Sequence, residues 1–332
     1  MQYNLFGNTG MNVSRLCLGT MTFPNTLNEK EAAGILDEAL DCGVNFVDTA
    51  DSYNKSEEVL GKIITPAKRD KIFLTSKVYR RFCRAGYVGA NSRVNILNNI
   101  DRSLKLLQTD YLDLYLLHHP DPKTPVEETM RTLDDLVREG KIRYWGVSNH
   151  YAWQMAYMLG LSRERQLEPL VGYQAGYSII DRQIEAEAVP MLEKFNVGLM
   201  VYSPLCGGIL AGKYHSENGE IKTETPRGRK AFAKRIQDQR ITEIVLQLRS
   251  FADEVGMSLN QLALAWLLNK SWVTTVLLGG SKPEQFTPMY EMADKQLPAE
   301  VEKKIDELSH FRIYSPLLNH PVKTGARLNI NA

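Results

Sequence analysis

The chain is poor in cysteine and carries almost no net charge. Its 332 residues include four cysteines, Cys17, Cys42, Cys83 and Cys206, and no Cys-x-x-Cys pair. That usage argues against a zinc site or a disulfide framework and predicts reduced thiols in a cytoplasmic protein. A formal net charge of +1 gives no reason to expect a nucleic acid or a membrane surface as a partner.

Long apolar runs and phosphate-binding motifs are also missing. No run approaches the roughly 20 residues that span a bilayer, and the first residues, MQYNLFGNTG, do not have the pattern of a signal peptide. No Gly-x-Gly-x-x-Gly follows the first predicted strand, and no Gly-x-x-x-x-Gly-Lys-Ser/Thr loop occurs. With 43% hydrophobic and 24% charged residues, the composition is that of an ordinary globular protein.

Short apolar strands alternate with helices along most of the chain. Residues 3 to 20 predict an N-terminal β-hairpin that leads into the first of eight strands. The other seven strands are predicted at 44–49, 72–78, 113–119, 144–149, 169–177, 198–205 and 273–280. They are apolar throughout, as are parallel strands that are buried on both faces. Eight β/α units in about 300 residues fit a closed (β/α)8 barrel, with an open doubly wound sheet as the alternative.

The even spacing, without a linker, predicts a single domain over residues 1 to 332. The longest interruption, residues 206 to 239, is a long loop after strand 7. A loop of this length is either a functional lid or a solvated insertion.

Polar residues stand at the carboxyl ends of nearly all the predicted strands. In a closed barrel these ends meet at one mouth, where active sites are found. The second strand ends in Asp48, and the loop after it carries Tyr53. The other strand-end residues are Lys77, His118, His119, Ser148, Asn149, Gln174, Tyr202, Ser203, Gly279, Gly280 and Ser281. Singly each could be a turn or surface residue, but together they predict a polar site at one rim.

Four of these residues suit proton transfer to a carbonyl oxygen. A neighbouring ammonium lowers the pKa of a phenol, so we expect Lys77 to make Tyr53 a better acid. Asp48 is expected to keep Lys77 charged, and His118 to donate a hydrogen bond to the carbonyl oxygen. Since none of them is an obvious covalent nucleophile, we expect a nicotinamide to supply a hydride.

Metal binding is the competing use of Asp48, His118 and His119. Adjacent residues on a strand point to opposite faces of the sheet. We therefore expect that the two histidines cannot share one ion, and we predict no metal.

Other residues could bind a dinucleotide across the mouth. Ser148, Asn149 and Gln174 have hydroxyl and amide groups for a carboxamide, and the ring of Tyr202 could stack on a flat ring. A helix predicted over 283–294 would offer free N–H groups and its dipole to an anion. The residues that could reach a phosphate are Ser281, Lys282, Lys213, Arg227 and Arg229.

Six motifs make the chain resemble the aldo-keto reductases over nearly its whole length. They are GNTGMNVSRLCLGTMTF (7–23), VNFVDTADSY (44–53), SLKLLQTDYLDLYLLHHPD (103–121), GKIRYWGVSN (140–149), VYSPLCGGILAGKY (201–214) and VLLGGSKPEQ (276–285). The resemblance implies a (β/α)8 TIM barrel that reduces aldehydes and ketones with NADPH or, less often, NADH. The catalytic residues it implies are Asp48, Tyr53, Lys77 and His118, with Tyr53 as general acid.

The same resemblance implies a set of residues that contact the cofactor. They are Gly19, Thr20, Met21, Asp48, Ser148, Asn149, Gln174, Tyr202, Ser203, Pro204, Leu205, Gly207, Lys213, Arg229, Gly279, Ser281, Lys282 and Gln285. Two positions depart from the family's pattern. Gln285 stands where many members carry an arginine for the 2′-phosphate, and Met289 where they often carry an asparagine for the adenine. Ser281, Lys282 and Gln285 could still hold the phosphate, so we predict a preference for NADPH, with NADH possible.

The chain also resembles the cytosolic β-subunits of voltage-gated potassium channels, a branch of the same family. DPKTPVEETM, YSPLCGGILAGKY and VLLGGSKPEQ carry this likeness. It implies a second hypothesis, a redox-sensing binding module with little turnover. His118 favours the enzyme, since the channel subunits tend to have asparagine there.

The expected partner is a small carbonyl substrate, and its contacts are predicted at Phe23, Tyr53, Tyr79, His118 and His119. The loop over 79–91 mixes aromatic residues with arginines, which would suit a flat or apolar carbonyl compound with polar or anionic groups. A plain solvated loop is the other interpretation. The tail after Phe311 could fold over the mouth or be disordered.

Overall fold

The computed structural model describes residues 1–79, 89–216, 219–221 and 235–310. Its backbone falls into two compact units. The first comprises Met1–Ala175, Asn196–Tyr202 and Val273–Lys295. The second comprises Gly176–Phe195, Ser203–Trp272 and Gln296–Ala332, of which 217–218, 222–234 and 311–332 lie outside the described residues. A single domain over the whole chain stays a prediction.

The first unit contains a closed barrel of eight parallel strands. The strands of the chain are β1 (Tyr3–Leu5), β2 (Asn12–Ser14), β3 (Leu16–Gly19), β4 (Phe46–Asp48), β5 (Phe73–Val78), β6 (Leu112–Leu117), β7 (Ile142–Ser148), β8 (Gly172–Gly176), β9 (Gly198–Tyr202) and β10 (Thr275–Leu278). Strands β3 to β10 follow one another around the barrel, and β10 pairs with β3 to close it. The structure is the (β/α)8 barrel that the alternation predicts; the open sheet is excluded.

The first two strands form an antiparallel hairpin, with Tyr3 opposite Ser14, as predicted. Phe6, in its turn, is completely buried against the first residues of β8 and β9. A Cβ atom on Gly172 or Gly198 would lie 2.7 or 2.9 Å from the Phe6 ring, so only glycine leaves room for it there. The hairpin therefore closes the N-terminal end of the barrel and leaves the C-terminal end for a site.

Helices follow the strands along the chain. They are α1 (Phe23–Thr26), α2 (Glu29–Asp41), α3 (Ser56–Ile63), α4 (Pro66–Arg69), α5 (Arg93–Leu107), α6 (Val126–Arg138), α7 (Ala152–Arg165), α8 (Ala188–Phe195), α9 (Gln239–Glu254), α10 (Leu259–Asn269), α11 (Thr287–Tyr290) and α12 (Ala299–Ser309). The start of α2 is fixed by a capping box between Asn28 and Glu31. Its end is followed by Gly43 at φ +84°, a conformation that glycine adopts readily. None of the helices in the described ranges is long and apolar enough to cross a bilayer.

The second unit contains α8, α9, α10 and α12. The Lys270 ammonium, at the end of α10, is buried and donates to Glu302 at 2.7 Å and to Asp306 at 2.8 Å. The indole nitrogen of Trp266 donates to Asp306 at 2.9 Å. These bonds attach α12 to α10. The long loop after β9 starts here, with a 3-10 turn over Cys206–Ala211.

The helix predicted over 283–294 is not one helix. The segment forms a 3-10 turn at Pro283–Gln285, the single turn α11 and a second 3-10 turn at Glu291–Asp294. Pro288 lacks an amide hydrogen, and its ring would clash with the carbonyl group four residues earlier in a continuous helix. The long helix whose dipole was expected to help bind an anion is therefore wrong, whereas the binding of a phosphate by Ser281 and Lys282 stays a prediction.

Candidate active site

An amine, an acid and a phenol meet at the C-terminal end of the barrel. Asp48 is the last residue of β4, and Lys77 lies near the end of the neighbouring strand β5. The Lys77 Nζ donates to Asp48 Oδ1 at 2.7 Å, to the Thr49 carbonyl oxygen at 2.8 Å and to Tyr53 Oη at 3.2 Å. The side chain of Lys77 has no exposed surface and that of Asp48 is 1% exposed. All three ammonium hydrogens thus have acceptors within the protein.

Backbone hydrogen bonds fix the loop that carries Tyr53. The amide of Thr49 donates to the Thr75 carbonyl oxygen, and the amide of Asp51 donates to that of Lys77. The Tyr53 amide then bonds to the Ala50 carbonyl oxygen at 3.1 Å, which closes a turn just before α3. The loop after β4 is therefore attached to β5, and the phenol is held over the amine.

Burial sets the direction of the pKa shifts at this triad. It raises the pKa of Tyr53, and the nearby Lys77 ammonium, which lowers it, does not compensate. Burial lowers the pKa of Lys77, but the neighbouring Asp48 and Tyr53 together raise it by more, so the ammonium stays charged. Lys77 lowers the pKa of Tyr53 as expected, but desolvation raises it by more. Tyr53 consequently holds its proton at neutral pH.

His118 lies next to this triad. Its ring is edge-on to that of Tyr53, with 5.8 Å between centroids, and its Nδ1 lies 3.3 Å from Ser52 Oγ. Burial, together with the charge of Lys77, lowers the pKa of His118 to about 3. The imidazole is therefore neutral at physiological pH. If the Ser52 hydroxyl donates to Nδ1, the ring proton sits on Nε2, where it can be donated to a ligand.

The two histidines do not point to opposite faces, which corrects the expectation from strand geometry. Strand β6 ends at Leu117, so neither His118 nor His119 lies on it. Their rings stack with centroids 4.9 Å apart and planes at 14°. The ring of Tyr79 lies 4.7 Å from His119 and 6.0 Å from His118, so the three rings form one aromatic wall. Across the described ranges, no three His, Cys, Asp or Glu side chains converge as metal ligands.

The residues predicted to bind a carboxamide already bond to one another and to the triad. Gln174 Nε2 donates to Asp48 Oδ2 at 2.8 Å, and Ser148 Oγ donates to the Gln174 carbonyl oxygen at 2.9 Å. Asn149 Nδ2 donates to the His118 carbonyl oxygen at 3.0 Å. The Tyr202 hydroxyl donates to Asn149 Oδ1 at 2.7 Å, which fixes its half-buried ring at the end of β9. The structure therefore brings all four residues to the same rim as the triad.

Gln285 occupies the backbone donors that were predicted for a phosphate. Its Oε1 accepts from the Ser281 amide at 2.8 Å, from the Lys282 amide at 3.2 Å and from Ser281 Oγ at 3.3 Å. The Lys282 side chain is 69% exposed, whereas Met289 is buried. A ligand that uses these amides must displace the Gln285 side chain.

The remaining predicted residues of the first unit differ in accessibility. Thr20 is buried, and its Oγ1 donates to the Asp48 carbonyl oxygen at 2.9 Å. Met21 is 49% exposed. Gly279 is exposed and has no atom within 4 Å of the position of a Cβ, whereas a Cβ on Gly19 would lie 2.9 Å from a backbone oxygen of β10. The Phe23 ring has no exposed surface, so it would have to move to touch a substrate.

The other predicted residues either belong to the second unit or fall outside the described residues. Ser203, Pro204, Leu205, Gly207 and Lys213 belong to the second unit. There Ser203 and Cys206 have positive φ angles of 55° and 45°, and the Tyr214 hydroxyl donates to the Gly207 carbonyl oxygen at 3.0 Å. Those outside the described residues are Arg227, Arg229, the loop over 80–88 and the tail after His310.

Two residues of this site were missed from the sequence. Ser52 contacts His118, and the Asp51 carboxyl group accepts from the Tyr79 amide at 2.9 Å. Both lie between Asp48 and Tyr53, so their place in that loop was the available signal. Two polar side chains in a short turn are too common to single out without coordinates.

The structure thus has a closed parallel barrel with an amine, an acid and a phenol in contact at its C-terminal rim. The model of the Aldo/keto reductase family matches residues 15–310, and the chain belongs to that family. It is 34% identical to "Uncharacterized oxidoreductase YrpG" of Bacillus subtilis, over 93% of this chain and 96% of that protein. It is 32% identical to "Aldo-keto reductase YhdN" of the same organism, over 96% of each chain.

A second kind of relative matches over a similar length. "Putative voltage-gated potassium channel subunit beta" of Schizosaccharomyces pombe is 34% identical, over 93% of each chain. "Probable voltage-gated potassium channel subunit beta" of Arabidopsis thaliana is 33% identical, over 89% of this chain and 92% of that protein. Proteins named as oxidoreductases and as channel subunits are thus similarly distant from this chain.

Proposed function

We propose that this protein reduces an aldehyde or a ketone to an alcohol with a reduced nicotinamide cofactor. One observation carries the proposal: the Lys77 ammonium lies 2.7 Å from Asp48 and 3.2 Å from the Tyr53 hydroxyl at the C-terminal rim of the barrel. A partly buried, protonated phenol beside a fixed positive charge is suited to giving a proton to a carbonyl oxygen.

Tyr53 is the general acid in this proposal. Its Oη donates its proton to the carbonyl oxygen as the carbon–oxygen double bond becomes single. The phenolate that remains is stabilised by the Lys77 ammonium, which Asp48 keeps charged and in place. Neutral His118 orients the carbonyl group by donating a hydrogen bond rather than by giving up a proton.

The first unit has features that fit the nicotinamide end of a dinucleotide. The tethered Tyr202 ring offers a flat face, and the amides of Asn149 and Gln174 lie at the same rim. When bound, the reduced nicotinamide supplies the hydride that reaches the carbonyl carbon. These three residues and Ser148 would hold it.

For the phosphate end we propose Ser281 and Lys282, and a preference for NADPH over NADH. The exposed Lys282 side chain and the exposed backbone at Gly279 support this choice. Gln285 opposes it, because it supplies no charge and covers two amide donors.

The proposed substrate is a small, flat carbonyl compound. Tyr79, His118 and His119 form an aromatic wall, and both imidazoles have lowered pKa values because of burial, so neither is a cation at neutral pH. The one ammonium of the triad, on Lys77, has no exposed surface and is fully hydrogen-bonded. The wall therefore offers stacking rather than charge.

The test is turnover of 4-nitrobenzaldehyde with NADPH and, separately, NADH, followed by cofactor absorbance and by isolation of the alcohol. We expect multiple turnovers with at least one cofactor and a lower KM for NADPH. The control is 4-nitrotoluene, which keeps the nitro group but has no carbonyl group, and it should not consume cofactor. Tighter binding of NADH would contradict the cofactor preference.

A redox-sensing binding module is the second candidate. The two relatives named as potassium channel β-subunits favour it. In that case the same assay would show tight cofactor binding but fewer than about one turnover per site. His118 argues for the enzyme, because its neutral imidazole stands beside Tyr53.

A further inference from the structure

Asp51 is a buried carboxylic acid that lies between Asp48 and Tyr53 in the sequence. The proposed reaction does not use it. Only 2% of its surface is exposed. Its Oδ2 accepts a hydrogen bond from the Tyr79 amide at 2.9 Å. Its Oδ1 has no hydrogen-bond partner within the described ranges. Burying such a group costs free energy, so its position calls for a reason.

Asp51 and the next residue contact three parts of the site: the backbone of Lys77, the ring of His118 and the backbone of Tyr79. Its backbone amide donates to the carbonyl oxygen of Lys77 at 3.2 Å. The next residue, Ser52, touches His118. Its carboxyl group holds the amide of Tyr79, the first residue after β5, whose ring completes the aromatic wall. The short turn around Asp51 thus contacts both β5, which carries Lys77, and the aromatic wall proposed to bind the substrate.

We propose that Asp51 is a positioning residue: its carboxyl group fixes the backbone of Tyr79, and through it the aromatic wall beside His118 and His119. The proposal rests on the function proposed above, because that wall matters only if a substrate binds there. Asn95 assists from the other side, since its Nδ2 lies 3.4 Å from the Tyr79 carbonyl oxygen. The backbone of Tyr79 is therefore held at both its amide and its carbonyl group.

The surroundings of Asp51 also give this contact a pH dependence. Burial raises the pKa of Asp51 to about 7, and the charge of Glu57 on α3 adds to this, while Lys77 on β5 acts against it. Glu57 is itself buried and bonds to Ser76 at 2.6 Å. As pH rises through neutrality, Asp51 ionises and accepts the Tyr79 amide more strongly.

The first test compares Asp51→Ala and Asp51→Asn with wild type, using steady-state turnover of 4-nitrobenzaldehyde. Asp51→Ala leaves the Tyr79 amide without its partner, so KM should rise about tenfold while kcat changes by less than about threefold. Asp51→Asn keeps an acceptor oxygen and should restore KM to within about threefold of wild type. Cofactor binding, measured without substrate by quenching of protein fluorescence, should be unchanged in both variants.

The pH profile separates positioning from a role in folding alone. In wild type, KM should fall between about pH 6 and pH 8 as Asp51 ionises, and in Asp51→Asn it should stay flat over that range. Asp70→Asn is the matched control, since Asp70 is an exposed acid outside the site; it should keep the wild-type KM and pH profile.

A double-mutant cycle with Tyr79→Ala tests whether Asp51 acts through Tyr79. If it does, adding Asp51→Ala to Tyr79→Ala should change KM by less than about twofold. Independent, multiplying effects would overturn the proposal, as would an Asp51→Asn profile identical to that of wild type. If the wild-type protein turns over no carbonyl compound, the proposed function has failed. If the wild-type protein is active and Asp51→Ala has the same KM as Asp70→Asn, only the inference about Asp51 has failed.

Discussion

Gln174 Nε2 donates a hydrogen bond to Asp48 Oδ2 at 2.8 Å, although the two residues are 126 positions apart in the chain. Asp48 thus has Lys77 on one oxygen and Gln174 on the other. Burial raises the pKa of Asp48, and both neighbours lower it. The net pKa of Asp48 is raised by burial, and the amine and the amide both act against that shift, so the amide belongs to the charge balance of the site.

Replacement of Gln174 tests this relationship. Gln174→Leu leaves Asp48 Oδ2 buried without a donor, which should lower the free energy of unfolding by about 1–3 kcal/mol. Urea unfolding at neutral pH measures it. Gln183→Leu, at an exposed glutamine of the second unit, is the control and should change little. Equal effects of the two substitutions would mean that Asp48 does not depend on Gln174.

Replacing Lys77 alone should lower the free energy of unfolding more than replacing both Lys77 and Asp48. Lys77→Met strands the buried Asp48 carboxylate and should lower the free energy of unfolding by about 3–5 kcal/mol. Adding Asp48→Asn to that variant should recover part of the loss, because no uncompensated charge remains. Lys62→Met, at an exposed lysine, is the control and should leave unfolding unchanged. A double variant less stable than Lys77→Met would contradict the ion-pair account.

Acid should destabilise the fold through His118. Burial lowers its pKa to about 3, whereas an unfolded histidine titrates near 6.5. As pH falls from about 6.5 towards 3, the unfolded chain binds the proton first, so stability falls by up to about 1.4 kcal/mol per pH unit for this residue. In His118→Asn the free energy of unfolding should therefore fall less steeply with decreasing pH than in wild type.

His150 contributes in the same direction, because burial lowers its pKa to about 4. The slope in His118→Asn should thus be reduced and not abolished. His310→Asn, at an exposed histidine, is the control and should keep the wild-type slope. Thermal unfolding across that pH range gives the comparison, and identical slopes for wild type and His118→Asn would show that His118 is not held neutral.

Cofactor preference should respond to Gln285. Gln285→Arg frees the amides of Ser281 and Lys282 and adds a cation, so the ratio of NADPH to NADH affinity should rise by about tenfold. Gln285→Ala frees the same amides without adding charge and should strengthen both cofactors alike. Fluorescence titrations of the three proteins measure the ratio. An unchanged ratio in Gln285→Arg would place the 2′-phosphate away from these residues.

The alternation of apolar strands and helices was enough to predict the barrel and its hairpin, because parallel strands and crossover helices leave few other arrangements. Strand ends also indicated Asp48, Lys77 and His118, since all the C-terminal ends of a closed barrel meet at one rim. The arrangement of the two histidines could not be predicted, because it depends on the residue at which a strand ends. β6 ends at Leu117, so the alternation of side chains along a strand does not apply to His118 and His119, whose rings stack.

Burial is the other quantity that the sequence did not reveal. The sign of the pKa shift at Tyr53 depends on whether desolvation or the Lys77 charge is larger, and only coordinates give both. The bond between Gln174 and Asp48 joins strands far apart in sequence, and so it was likewise invisible. The sequence does indicate that the helix predicted over 283–294 is interrupted, because Pro288 cannot continue a helix.

The central claim is that Tyr53 gives up the proton, and the most direct measurement is the kcat of Tyr53→Phe with 4-nitrobenzaldehyde and NADPH. We predict that kcat falls by roughly 10²–10⁴-fold while the Kd for NADPH stays within about twofold of wild type. Tyr157→Phe, at an exposed tyrosine, serves as the control and should retain full activity. A Tyr53→Phe protein that turns over at close to the wild-type rate would contradict the account.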